Sequence, residues 1–200
     1  MVSKNISVVL CARNEESRIE KALISIAAAM PDEIIVVDGN SDDRTVEIAS
    51  KYTDTVIVSH AGSLTSDRQI GIDAATCDYI AMIDADHRIK PDTLISLKKD
   101  LEEFKFDVVQ SKLGIEENSF WTSAENQAFD IFLNHAGPKK MIGTAPAMYR
   151  KTLFEKHKFD ATVTKNKDDA DFFYRLSLLP DYTYGTGNTY VWQEHHASFN

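Results

Sequence analysis

From Ile6 to Phe104 the sequence alternates short apolar runs with longer segments of helical periodicity, and this alternation restricts the possible folds more than any other feature. Ile6–Leu10, Ile34–Val37, Thr55–Val58 and Tyr79–Ile83 are rich in β-branched or bulky apolar residues, as strands covered on both faces are. After the first run, Asn14 is placed to cap a helix with Glu15 and Glu16 in its first turn. Ile19, Leu23 and Ile26 fall at helical spacing, and Pro31-Asp32 breaks the pattern. Ser41-Asp42 opens a second helix with Val46 and Ile48-Ala49 inward, and Ser66–Ala75 reads as a short third one. Pro91 starts another that runs through about Phe104, burying Leu94, Leu97 and Leu101. Parallel strands need crossover connections, so the series predicts an α/β fold with a largely parallel, Rossmann-like sheet flanked by helices.

The remainder is less regular. Asp107–Gln110 reads as a strand, Phe120–Leu133 as an aromatic-rich helix, Met141–Tyr149 as mixed, and Asp171–Leu179 as helix until Pro180. Thr183–Trp192 has the β-rich, glycine-punctuated character of strands near an active-site wall. With no repeat, low-complexity segment or linker, residues 1–200 are expected to form one domain. It has a nucleotide-binding half to about residue 105 and an irregular half over 106–200.

Charge and composition exclude several classes. A chain of 200 residues with a net charge of −9 is a poor partner for nucleic acid, whose binding requires a basic surface. No basic amphipathic stretch suits an anionic membrane surface, and no run approaches the ~20 apolar residues of a membrane span. The run Ile6–Ala12 is shorter than the apolar region of a signal peptide and continues straight into Arg13, so a cytoplasmic location is expected. Cys11 and Cys77, both beside apolar runs, are expected to be reduced and structural. The acidity also sets a condition: if a phosphate-bearing molecule binds here, something must offset the nearby carboxylates.

The strongest chemical signal is Asp84-Ala85-Asp86 at the end of an apolar strand. In open α/β sheets ligands bind at that edge. Side chains at i and i+2 of a strand point the same way, so Asp84 and Asp86 can converge on a hard cation. Mg²⁺ or Mn²⁺ held there could bridge a diphosphate. Asp38 closes another strand and begins Asp38-Gly-Asn-Ser-Asp-Asp-Arg-Thr45, where an acid can read a base or ribose, or can merely cap and turn along with Asp42. Asp168, Asp169 and Asp171 crowd a helix start. One could be a general base, or they could complement the helix dipole, with Asp171 pairing to Arg175. His195-His196 could supply a metal ligand, but neighbours on a strand point to opposite sides. There is no GxxxxGK[ST] loop, no GxGxxG after a strand and no GxSxG elbow.

Together these residues resemble glycosyltransferase family 2, inverting enzymes of the GT-A fold. The resemblance runs through Ser7–Glu16, Ile35–Thr45, Arg68–Gly71, Asp84–Asp86 and Asp168–Leu176. It implies that Ala12, Arg13 and Glu15 line the nucleotide, that Asp38 reads the base (usually uracil), and that Arg68, Asp84 and Ala85 lie near the donor. It further implies that Asp86, with Asp84 and His195, holds Mn²⁺ or Mg²⁺. Asp169 matches the second acid of the family's E-D-x-D-L stretch, the catalytic base. Asp168 stands in place of Glu and Phe172 in place of Leu, so the base could be either Asp168 or Asp169. Gly143–Arg150 matches an acceptor-side segment.

The implied reaction is metal-assisted transfer of a sugar from a nucleotide-sugar donor, a UDP-sugar above all, to a hydroxyl acceptor on a glycan, a lipid-linked sugar or a protein. A lipid-linked acceptor would place the enzyme peripherally at a membrane. Gln193 is followed by Glu-His-His rather than the Q-x-x-R-W of processive synthases. The sequence stops at Asn200, where relatives often continue into a helix over the acceptor, so a partner or a further segment is expected to cover that site. Competing readings are an inactive nucleotide-sugar-binding module and a sugar nucleotidyltransferase. The latter would need a glycine-rich basic loop where Ala12-Arg-Asn-Glu-Glu16 stands.

Overall fold

The computed structural model describes residues 5–116, 119–163 and 167–194. Strands β1 (Ile6–Ala12), β2 (Glu33–Asp38), β3 (Val56–Val58) and β4 (Tyr79–Met82) lie in the order β3-β2-β1-β4, all parallel. Helices α1 (Ile19–Ala28), α2 (Thr45–Ala49) and α3 (Leu64–Ala74) make the crossovers. Strand alternation sorts the core into two layers. Val8 and Leu10 of β1 pack with Leu23 and Ile26 of α1 and with Leu94, Leu97 and Leu101 of α4 (Thr93–Glu103). Val9 and Cys11 pack on the other face with Ile72 of α3 and with Phe172, Phe173 and Leu176 of α6 (Asp168–Ser177). Each such side chain, fully buried, contributes about 1.5–3 kcal/mol. This double coverage is why the strands read as unbroken apolar runs. Both cysteines are free and buried, as expected.

The second half extends the same 9-stranded sheet with antiparallel pairs. Its elements are β5 (His87–Arg88), β6 (Val108–Ile115), α5 (Phe120–Phe132), β7 (Gly137–Pro138), β8 (Ala147–Arg150) and β9 (Tyr184–Gln193). Beyond β4 the order continues β8-β6-β9-β5, with β7 paired to β9. β8 runs antiparallel to β4 and β6, β6 runs parallel to β9, and β5 pairs antiparallel with the end of β9. The chain leaving β4 thus reaches the far end of β9 within a few residues.

Several boundaries differ from the sequence expectation. Asn14 does not cap α1: it holds φ +56° in a loop, and the helix begins only at Ile19. The second helix starts at Thr45 rather than Ser41, because Ser41–Asp43 are engaged in loop contacts described below. Ser63 caps α3 by accepting the Ser66 amide at 3.2 Å. β6 continues past Gln110 to Ile115, with a register shift against β9 between Gln110 and Lys112. Gly71 is needed for close approach, since a Cβ there would lie 2.4 Å from Val9 Cγ1, where α3 crosses β1.

Helix α5 packs with its polar side inward. Asn126 hydrogen bonds both backbone groups of Ile115, and Asn134, just past the helix, does the same for Leu113. Phe120, Trp121, Ile131 and Phe132 face solvent. Among the described residues, no helix is long and apolar enough to cross a membrane.

Candidate functional site

Two sequence motifs prove to be each other's hydrogen-bond partners. The loop after β1 (Arg13–Glu16) and the loop after β2 (Gly39–Arg44) sit side by side at the C-terminal ends of parallel strands. Gly39 N–H donates to the Ala12 carbonyl at 2.8 Å. The Asn14 amide donates to Ser41 Oγ at 2.8 Å, and the Asp42 amide donates back to Asn14 Oδ1 at 2.9 Å. The Glu15 amide reaches Thr45 Oγ1 at 2.8 Å, and the Glu16 amide reaches Asp43 Oδ2 at 3.0 Å. Asp43 Oδ1 accepts from both the amide and the hydroxyl of Thr45. Burial acts to raise the Asp43 pKa but is outweighed by these hydrogen bonds, which hold the carboxyl below its ordinary value. The polar run Asn40–Thr45 is thus mainly a brace.

Asp84 and Asp86 lie in a turn just beyond β4 rather than on the strand itself, with the His87 amide donating to the Asp84 carbonyl at 3.0 Å. The expected convergence is reached through this turn. Ligand atoms of Asp84, Asp86 and His87 all lie within 4.8 Å of one another. Paired carboxylate oxygens suit a hard divalent cation. His87 is not free to join them as it stands, because its Nδ1 accepts the Asp84 amide at 3.0 Å. Burial lowers the His87 pKa, against the pull of both carboxylates, so the neutral ring carries its proton on Nε2, 3.8 Å from Asp86 Oδ1. The end of β9 clamps the same turn. Gln193 donates to Asp86 Oδ2 at 2.7 Å, and the Glu194 amide donates to the Asp86 carbonyl at 2.8 Å. Arg68, buried on α3, brings its guanidinium to 3.5 Å from Asp84 Oδ1.

A cavity of ≈ 460 Å³ opens between these loops, and Ala12, Arg13, Glu15, Asp84, Ala85 and Asp86 line it. The structure therefore gathers most of the residues expected at a nucleotide around one space. Asp38 is not on the cavity wall. It is 1% exposed, and its carboxylate accepts the Ser41 amide at 2.8 Å and the Ser41 hydroxyl at 2.5 Å. Asp67, which sequence reasoning passed over, does line the cavity, beside Gly39. His87 and Gln193 were also missed. Only the adjacency of His87 to Asp86 could have signalled it, since pairing between β5 and β9 is invisible in sequence.

Asp169 lies elsewhere, in the first turn of α6. It lines a second cavity of ≈ 380 Å³ together with Gln110, Gly143 and Thr186. Its Oδ1 accepts the Ala170 amide at 2.7 Å. Asp171 is committed to Arg175 at 2.7 Å, the helical pair expected from spacing. The side chain of Asp168 and all of His195 lie outside the described residues.

Comparison with known proteins bears on the family and the fold. The family model described as "Glycosyl transferase family 2" matches residues 7–176. An uncharacterized glycosyltransferase of Rickettsia bellii is 34% identical over 89 residues, covering 44% of this chain and 30% of that protein. The crystal structure of S. aureus TarS 1–349 superposes with a TM-score of 0.73 at 20% identity, covering 94% of this chain and 60% of that one. Glucosyl-3-phosphoglycerate synthase from Mycobacterium tuberculosis, solved with Mg²⁺ and UDP, gives 0.66 at 21% identity over 96% of this chain and 72% of that one. These structural neighbours are GT-A glycosyltransferases, and the fold is theirs. The chain spans less than half the length of the first curated relatives it matches.

Proposed function

The chain belongs to glycosyl transferase family 2, and from that membership we propose that it transfers a sugar from a nucleoside-diphosphate donor, a UDP-sugar, to a hydroxyl acceptor with inversion at the anomeric carbon. The observation that carries this reading is the cavity at the C-terminal ends of β1 and β4, with Arg13 and the Asp84–Asp86 turn on its wall. In an open α/β sheet this is the place for a nucleotide. The UDP bound by the mycobacterial neighbour supports uridine as the nucleoside.

Asp84 and Asp86 would hold Mg²⁺ or Mn²⁺, which supplies neutralisation of the departing diphosphate when bound. Arg13 and Arg68 add positive charge near the same groups, which answers how so acidic a chain could accept a diphosphate. Asp169, in the second cavity beside Gly143, takes the proton from the acceptor hydroxyl as its oxygen attacks.

Calorimetry with UDP and GDP, with and without Mn²⁺, followed by a donor-hydrolysis assay, tests the reading. Cation-dependent nucleotide binding with slow donor hydrolysis is expected. Failure to bind either nucleotide would sink it, and binding without any turnover would favour an inactive nucleotide-sugar-binding module.

A further inference from the structure

The proposed transfer leaves the chemical class of the acceptor open, and the inference that follows rests on that reading. Late in β9, Tyr190 and Trp192 stand two residues apart and so share one face of the strand. Their rings lie 22° from parallel with centroids 6.2 Å apart. Val191 between them is fully buried on the opposite face, whereas Tyr190 is 37% exposed. Gly114 is the neighbour of Trp192 on β6, and a Cβ there would come within 2.5 Å of Trp192 Cζ3, so the indole lies against bare backbone. Lys112, the neighbour of Tyr190, holds its ammonium 5.4 Å from the phenol ring centroid. Asp130 of α5 joins the pair from the side. Its Oδ1 accepts the Asn134 amide at 2.8 Å and the Tyr190 hydroxyl at 3.0 Å. These hydrogen bonds hold the Asp130 carboxyl below its ordinary value, so it is an exposed anion that only accepts.

Tyr190, Trp192, Asp130 and Asn126 line a cavity of ≈ 270 Å³ together with Leu113 and Gly114. That is just under the ~300 Å³ at which pockets for drug-sized ligands begin, room for one ring rather than for a nucleotide. The cavity adjoins that of Asp169. Leu113 lines both, and Asn134, which bonds Asp130, stands on the wall of the other. A pyranose has the matching surfaces: a face of C–H groups that packs on aromatic rings, and a rim of hydroxyls that donate to a carboxylate.

We propose that Tyr190, Trp192 and Asp130 form a sugar subsite of the acceptor. The acceptor is then a glycan of at least two residues, whose terminal sugar presents its hydroxyl to Asp169 while the next sugar packs on the two rings. A peptide serine or a simple alcohol offers no second sugar and leaves these groups without a role.

The test reads the fluorescence of Trp192. The chain has two tryptophans and Trp121 is 74% exposed, so Trp121→Phe leaves Trp192 as the sole reporter. The probes are methyl glycosides of glucose, galactose, mannose, rhamnose and N-acetylglucosamine, each as mono-, di- and trisaccharide. At least one series is expected to shift the emission saturably, with the disaccharide about tenfold tighter than the monosaccharide. Asp130→Ala and Tyr190→Ala, with melting curves to confirm folding, are each expected to weaken the best probe about tenfold. No shift with any probe overturns the inference. So does an unchanged affinity in either folded variant, or a disaccharide no tighter than its monosaccharide. If neither variant folds, saturation-transfer NMR on the unaltered chain decides: irradiated aromatic protons are expected to reach the C–H protons of one sugar face, and absence of that transfer overturns the subsite. Calorimetry of UDP with Mn²⁺ runs in parallel. UDP bound without any glycoside sinks the subsite alone, whereas a glycoside bound without UDP keeps the subsite and sinks the donor reading.

Discussion

His87 Nδ1 accepts the backbone amide of Asp84 at 3.0 Å, so the residue that follows Asp86 anchors the residue three places before itself. With its ring buried and neutral, His87 closes the turn that carries both carboxylates. His87→Ala leaves the part-buried Asp84 amide without this partner, a cost of about 1 kcal/mol. Mn²⁺-dependent UDP affinity is expected to fall about tenfold. Unchanged affinity in calorimetry, with an unchanged melt, would show that β9 holds the turn without His87.

The two cavities predict separable defects. Asp86→Ala is expected to abolish the Mn²⁺ dependence of nucleotide binding. Asp169→Asn is expected to bind UDP normally and lose turnover by at least about a hundredfold. Chelation with EDTA should make the unaltered protein behave as Asp86→Ala does. Intact turnover in Asp169→Asn would remove the base assignment.

Gly71 tests the contact between helix and sheet. In Gly71→Ala the new methyl would stand 2.4 Å from Val9 Cγ1, too close for either to remain in place. Overpacking of this kind costs about 1–3 kcal/mol. A lower Tm is expected, and because Asp67 and Arg68 ride on the same helix, UDP binding should weaken as well. A melt that matches the parent would mean α3 slides freely.

Asp43 gives the loops a pH dependence of known sign. Its folded pKa lies below the ordinary 3.8. The folded state therefore binds fewer protons than the unfolded one near that pH, and the stabilisation is present above 3.8 and lost as pH falls through the folded value. Urea denaturation between pH 5 and 2 is expected to show a shallower loss of stability in Asp43→Asn than in the parent. Equal slopes would exclude the brace as a contributor.

The parallel half of the fold was legible because its strands are apolar on both faces and its helices carry Ile, Leu and Val at regular spacing. Those signals are local. The helix starts were misjudged at Asn14 and Ser41 because both residues hydrogen bond across loops rather than to their own first turn. The second half was harder to read since β6 carries Gln110 and Lys112 within an interior strand, which breaks the apolar run.

By itself the sequence determined the α/β alternation, the placement of Asp84 and Asp86 at a strand's C-terminal edge, and the family, because strand burial, helical periodicity and motif order are all written along the chain. Tertiary structure alone decided which partners each acid meets. Asp38 and Asp67 are the same residue type, yet one accepts both the amide and the hydroxyl of Ser41 while the other keeps a buried oxygen without a partner among the described residues. A carboxylate's availability depends on the donors brought to it from elsewhere in the chain, and that is a property of the folded surroundings, not of its neighbours in sequence.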